Sequence, residues 1–325
     1  MSNIDEIDAK ILKQLLEDGR KSFVEIAKEC NTSKDVIAKR YKRMEKAGII
    51  VGATTQLNYR IFGYNAVGNI SINVSPQHVD EVIRFVRKIP NTKEVYPAYK
   101  KCNVSVIATL RSLSELDQVK EAIRKHASVI SLKAQLWLDI KNVPENIFLE
   151  LPTNEEGKND VAVKQENNEN IKEIVIDEID RQLIAKLAKT GRLPFSKIAE
   201  ELETSTDTII RRYEKLKNNK AIKTVIQLDL KEIGYKAFAL FFISLTVQGS
   251  TSEKVRELSK IPNVYHIVKT SGDHDLFIIT CVKSFEHFFS IRDQIAKIPN
   301  MRIVDIEIGE VIPEFPSYSS HISTF

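Results

Sequence analysis

At 325 residues the chain is long enough for two or more domains, each with its own core. Its formal charge of +4 is too mild to coat nucleic acid indiscriminately, so affinity for nucleic acid must come from local clustering. Cys30, Cys102 and Cys281 are odd in number and far apart, which fits reduced thiols and gives no zinc spacing. No metal, cofactor or catalytic group is expected. The N-terminal MSNIDEIDAK is charged and unlike a signal peptide. The longest apolar run, Ala237 to Leu245, is too short for a bilayer and suits a buried strand. The expected location is the cytoplasm, with no membrane partner.

The first predicted element is a helix with Ile7, Ile11, Leu12 and Leu15 on one face and Asp5 complementing the dipole at its start. A short helix, Ser22–Cys30, follows, then a tight turn at Asn31-Thr32 and a longer helix, Ser33–Ala47. Ser33 is placed to cap the longer helix and Gly48 to let the chain leave it by a left-handed step. Ile37, Tyr41 and Met44 form its buried stripe; Lys34, Lys39, Lys42 and Lys46 lie largely off it, with Arg40 and Arg43 on the flanks. A helix buried on one side and cationic on the other, after a short helix and tight turn, is the pattern of a helix-turn-helix. Ile49–Leu57 then reads as a strand or wing leading away from this head.

The next segments alternate in another rhythm. Ala66–Val74 is predicted as a strand, Gln77–Lys88 as an amphipathic helix, and Lys93–Ala98 with Val104–Leu110 as a hairpin pair. Leu113–His126 is a second helix and Ile130–Ile140 a last strand. The order β-α-β-β-α-β is ferredoxin-like, one open sheet with both helices on one face. Lys141–Glu173 is polar and acidic and reads as a flexible tether, although Ile147-Phe148-Leu149 has the character of an extra strand. As a coil of about 30 residues it would span on the order of 30 Å, enough to set two heads side by side.

Beyond the tether everything repeats. Ile4-Asp5-Glu6-Ile7-Asp8 recurs letter for letter at 176–180, Gly19-Arg20 as Gly191-Arg192, Ile26-Ala27 as Ile198-Ala199, Arg40-Tyr41 as Arg212-Tyr213 and Gly63-Tyr64 as Gly234-Tyr235. The second head has Ser205 as cap and Ile209, Tyr213 and Leu216 as stripe. Its strands and helices follow at 238–247, 252–260, 264–271, 276–282, 285–297 and 301–311. Phe238, Leu240 and Phe242 alternate with Phe241, Ile243 and Leu245, so that strand is apolar on both faces and its sheet needs a second layer. The expected layer is the other copy, packed sheet to sheet within one chain or between chains. The fold class is therefore α+β: two winged or helix-turn-helix heads, each followed by a ferredoxin-like unit. Expected boundaries are 1–60 and 61–142 for the first module, 143–174 for the tether, 175–232 and 233–313 for the second module, and 314–325 for an unpatterned tail.

Head, wing and ferredoxin-like unit in this order resemble the leucine-responsive regulatory protein/AsnC family of transcription regulators. The residues that carry the likeness are Ile7-Asp8, Gly19-Arg20, Ile26-Ala27, Ser33, Arg40 and Gly48-Ile49-Ile50, with Ile179-Asp180, Gly191-Arg192, Ile198-Ala199, Ser205, Arg212 and 271–275 in the second copy. The resemblance implies a covalently fused dimer that binds duplex DNA and assembles further as a homo-oligomer. It also implies a small effector, an amino acid or another small molecule, at the Gly-Asp-x-Asp hairpin Gly272, Asp273, His274 and Asp275. Glycine there lets backbone N–H groups approach a carboxylate, and aspartate can hold an ammonium; the plain alternative is a turn between strands. The first copy departs, with Lys100-Lys101-Cys102-Asn103 at that place, so one ligand per chain is expected. Lys220 also replaces Gly48 in the second copy, which points to an Asn cap through Asn218-Asn219.

For groove contacts the first head offers Thr32, Ser33, Lys34, Asp35, Ala38 and Lys39, with Lys42 on the phosphates. The second offers Thr204, Ser205, Thr206, Asp207, Ile210 and Arg211, with Glu214 where the first has Lys42. Arg40 and Arg212 are candidates too, against the alternative of pairing with Asp8 and Asp180. The rival function is a sirohaem decarboxylase-like enzyme on the same fold, with His266 and His274 in the relevant unit.

Overall fold

The computed structural model describes residues 4–98, 102–148, 174–246, 250–311 and 314–316. Most of the tether (149–173), Lys100-Lys101 and residues 317–325 lie outside that set.

Helix α1 (Glu6–Glu17) starts in a capping box, in which Asp5 accepts from the Asp8 amide and Asp8 from the Asp5 amide. Helix α2 (Phe23–Glu29) has the same device through Ser22 and Glu25. Asn31, at φ +50, turns the chain into α3 (Lys34–Lys46), capped by Ser33. Gly48 leaves α3 at φ +74, and strand β1 (Ile50–Leu57) follows. The first unit is β2 (Ala66–Val74), α4 (Val79–Val86), β3 (Thr92–Pro97), β4 (Val104–Leu110), α5 (Leu113–Arg124) and β5 (Val129–Asn142). The second module repeats the plan: α6 (Glu178–Lys189), α7 (Phe195–Glu201), α8 (Thr206–Asn218), β6 (Ile222–Leu228), β7 (Ala237–Leu245), α9 (Thr251–Leu258), β8 (Val264–Ser271), β9 (Leu276–Val282), α10 (Phe285–Ala296) and β10 (Met301–Glu310). In this copy Lys220 itself takes the left-handed step, at φ +55, while the Asn219 amide group donates to the Lys215 carbonyl at 2.7 Å.

The two units form one eight-stranded sheet, in the order β10-β7-β9-β8-β5-β2-β4-β3. The seam is the antiparallel pair β5–β8, running from Leu136 opposite Ser271 to Asn142 opposite His266. The helix-free faces also share a core, with Val67, Ile107, Trp137 and Ile140 from the first unit against Val268 and Phe277 from the second. The two units are thus joined through a continuous strand edge, with an apolar core running across the seam, and the apolar pattern alone does not reveal that edge. Ala239, Phe241 and Ile243 of β7 face the helices, while Phe238 points to the other side, beside Tyr265.

The strand leaving each head pairs with its counterpart rather than folding back as a wing. β1 and β6 form a two-stranded antiparallel ribbon with Thr55 opposite Thr224. Their hydroxyls lie 2.9 Å apart, and Tyr213 donates to Thr224 at 3.1 Å.

The segment after β5 does dock, but as a 3-10 turn (Pro144–Phe148) and not as a strand. Asn146, fully buried, donates to the carbonyls of Ser259 and Val264, at 2.7 and 2.8 Å. These bonds fix the turn against the second unit, and Ile147 and Phe148 enter the core that also holds α1 and α3. Phe315, in the stretch expected to be an unpatterned tail, is fully buried and exchanges backbone bonds of 2.7 and 2.8 Å with Leu228.

Candidate nucleic-acid interface

Each recognition helix is held by burial on one side and an ion-pair cluster at its flank. Ile37 and Met44 of α3, and Ile209, Tyr213 and Leu216 of α8, lie in the core. Arg40 reaches Asp5 at 2.6 Å and the fully buried Asp8 at 2.9 Å, and Arg43 also pairs with Asp8. Arg212 repeats the geometry on Asp177 and Asp180, again at 2.6 and 2.9 Å. A buried carboxylate is costly unless paired, and each α1 or α6 capping box depends on this arginine for that. Arg40 and Arg212 thus make the pairs with Asp8 and Asp180 that the sequence leaves open as the alternative to a groove contact.

The remaining candidates lie where a ligand can reach them. Ser33, Lys34, Asp35, Lys39 and Lys42 are exposed and Thr32 and Ala38 half-buried, on one continuous outer surface of α3 and its cap. Ser205, Asp207, Ile210 and Arg211 are exposed on α8, with Thr204 and Thr206 half-buried. Helix α3 carries six basic and two acidic side chains, α8 four and two, so the first head has the stronger positive field.

The heads are cross-braced. The Gly19 amide donates to the Thr224 carbonyl of β6, and the Gly191 amide to the Ala53 carbonyl of β1, both at 2.7 Å. A Cβ on Gly19 would sit 2.8 Å from the Val225 backbone, and one on Gly191 2.7 Å from Thr54 N; only glycine admits the partner strand so close. Arg20 then crosses between modules, donating to the carbonyls of Gly191 (2.8 Å) and Leu193 (2.6 Å) and lying 4.1 Å over the Phe195 ring. Arg192 crosses in the other direction through ring contacts, 5.3 Å over Phe23 and 5.1 Å over Tyr41. The sequence shows Gly-Arg as a repeat and as part of the family likeness; its contact with the other module's strand is long-range and leaves no local signal.

The Gly272 turn joins β8 to β9. Gly272 has φ +144, with the Gln135 side chain of β5 packed across it. Asp273 pairs with Lys133 of the first module, both side chains well exposed. The Asp275 carboxylate accepts from the Leu245 amide at 2.7 Å and so ties off the end of β7. Asn103 makes the matching bond to the Val74 amide at 2.7 Å. His274 packs its ring 4.8 Å from Phe242. The four residues are therefore neighbours, but Asp275 acts in strand closure, and the face of the turn is shared with the other module. Among the described residues no cluster of three or more acidic, histidine or cysteine side chains is arranged for a metal, and no helix is long and apolar enough to cross a membrane.

Comparison with known proteins decides the kinship. A winged helix-turn-helix DNA-binding model matches residues 4–51, an AsnC-type helix-turn-helix model 176–217, and the Lrp/AsnC ligand binding domain model 239–308. An uncharacterised HTH-type transcriptional regulator of Pyrococcus furiosus is 32% identical over 147 residues, 98% of its own length and 45% of this chain. The chain belongs to the Lrp/AsnC family of DNA-binding transcription regulators. The regulator Ptr1 of Methanocaldococcus jannaschii is similar at 30% over 136 residues, 92% of its length and 42% of this chain. Each such relative thus corresponds to one module of this Lrp/AsnC chain. At 16% identity and a TM-score of 0.59, a sirohaem decarboxylase, NirDL, covers 96% of the chain and is itself covered to 92%; this likeness is one of fold.

Of the two histidines of the rival reading, His266 is buried and His274 half-buried. His266, 4% exposed, donates through Nδ1 to Asn142 beside the rings of Trp137 and Phe277, and burial pushes its pKa down to about 4.

Proposed function

We propose that one chain grips duplex DNA through both heads at once and acts as a regulator, not an enzyme. The observation that carries this is the reciprocal Gly-Arg joint: it holds two solvent-facing recognition helices on one rigid ribbon, as two half-sites of a single duplex require. In this reading Lys34 and Lys39, with Thr32, Ser33 and Asp35, meet the groove and Lys42 the phosphates. Ser205, Thr206, Asp207 and Arg211 serve the second head, which binds less tightly. Arg40 and Arg212 act from behind, by fixing the helices.

A small effector, an amino acid, binds at the Gly272–His274 turn, one per chain; its ammonium takes Asp273 from Lys133. Ligand at that shared turn biases how fused chains assemble, and through assembly the spacing of heads on DNA. The absence of catalysis is part of the same reading, and a spectroscopic titration with an iron porphyrin should leave the Soret band unshifted; a shift would count against it.

Salt dependence tests the DNA claim. Binding driven by phosphate contacts falls with log salt at a slope close to the number of phosphates neutralised. Affinity that stays constant from low to high salt, or that is missing on every duplex tried, refutes it. Lys34→Ala with Lys39→Ala should weaken binding by about 1–3 kcal/mol, more than Thr206→Ala with Arg211→Ala.

A further inference from the structure

On the recognition helices the outer stripe one turn in from the cap differs between heads. In α3 it runs Asp35, Ala38, Lys42; in α8 it runs Asp207, Ile210, Glu214, the same spacing on the same face. Ala38 is half-buried and small, whereas Ile210 is 40% exposed and stands among polar and charged neighbours. A β-branched apolar side chain lowers helix propensity relative to alanine and gains nothing from water. Its place in the N-terminal half of α8 is the part of a recognition helix that faces base edges. The apolar group that duplex DNA presents in the major groove is the thymine C5 methyl.

We infer that Ile210 is a specificity-determining residue, which reads a thymine methyl in the half-site under the second head, and that the operator is consequently asymmetric. This deepens the DNA-binding reading and rests on it. The first head has the smaller Ala38 there, and its own exposed apolar side chain, Val36 at 38%, lies on the other flank of the buried stripe, so this head selects its half-site through Lys34 and Lys39. Glu214, in place of Lys42, removes a phosphate grip from the side of α8 that Ile210 occupies. The second head thus trades backbone affinity for base discrimination.

The test uses the full chain and a duplex enriched by it from a random-sequence library. The expected consensus is non-palindromic, with a thymine held in one half. Replacing that thymine by deoxyuridine should weaken wild-type binding about fourfold, the value of one buried methyl group. Ile210→Ala should weaken binding to the thymine duplex by a similar factor and make it indifferent to the deoxyuridine change. Circular dichroism melting of the variant, expected to match the wild type, separates lost reading from lost folding. A palindromic consensus, a harmless deoxyuridine at every position, or an equal deoxyuridine penalty in Ile210→Ala overturns the inference. Enrichment of no duplex at all is a different result: it refutes DNA binding itself, and the inference with it.

Discussion

Placing a methyl group on Gly19 should disconnect the heads. Its Cβ would lie 2.8–2.9 Å from the N, Cα and C atoms of Val225, and that of Gly191→Ala 2.7–2.9 Å from backbone atoms of Ala53 and Thr54. Carbon atoms at rest stay about 3.5–4.0 Å apart. These neighbours are ribbon backbone, held by the β1–β6 pairing, and cannot rotate away as a side chain would. Overpacking of this kind costs about 1–3 kcal/mol. Pushing the strand off also strains the 2.7 Å bond from the Gly19 amide to Thr224, worth about 1 kcal/mol more. The reduced freedom of the unfolded chain returns about 0.4–1 kcal/mol. The net expectation is a loss of roughly 1–3 kcal/mol for each variant. The pair should be non-additive, because Val225 and Thr54 are directly opposed in the ribbon. Urea unfolding followed by circular dichroism measures this, with Gly309→Ala, which meets nothing within 4 Å, as the control. If Gly19→Ala and Gly309→Ala agree within about 0.5 kcal/mol, the close approach is not what the glycine is for.

His266 should make the β5–β8 seam acid-sensitive. Its folded pKa of about 4 lies below the free value of 6.5, so the unfolded chain binds the extra proton first. Stability is full above pH 6.5 and falls by up to about 3 kcal/mol as the pH drops to 4; His266→Gln should flatten that part of the profile. Lys220→Gly should stabilise the chain by about 1 kcal/mol in thermal or urea unfolding, since the φ of +55 is strained for lysine and not for glycine. Asp275→Ala should lower stability by about 0.5–1.5 kcal/mol by removing the acceptor of the Leu245 amide at the solvent-facing end of β7. Asp273→Asn should leave folding unchanged within about 0.5 kcal/mol, since its ion pair is exposed, but abolish amino-acid binding in calorimetry.

The elements were legible because their signals are local. Asp5, Ser22 and Ser33 cap where their side chains allow, and Ile37 and Met44 mark the stripe of α3 by spacing alone. Val104–Leu110, Val264–Ser271 and Leu276–Val282 begin and end where the apolar alternation does. What could not be read is what depends on partners distant in sequence. The strand after Gly48 looks like a wing until Val225 is known to lie opposite Thr54. Phe315 looks like tail because its partner Leu228 is 87 positions away, a separation that leaves no periodic trace. At the candidate site the sequence offered two roles for Arg40, and only the position of Asp8, buried behind it, favours the scaffold. Asp275 was read as a candidate for an ammonium because the resemblance pointed there, while its bond to a backbone amide is invisible to pattern.

The most direct measurement is a hydroxyl-radical footprint of the full chain on the duplex enriched from the random library. Two heads fixed on one ribbon predict two protected patches on the same face of the helix, centred about one turn apart. Protection under the first head should be the more salt-dependent, because α3 carries more basic side chains than α8 and so neutralises more phosphates. A single patch, or two whose separation drifts between duplexes, would contradict a rigid two-headed reader.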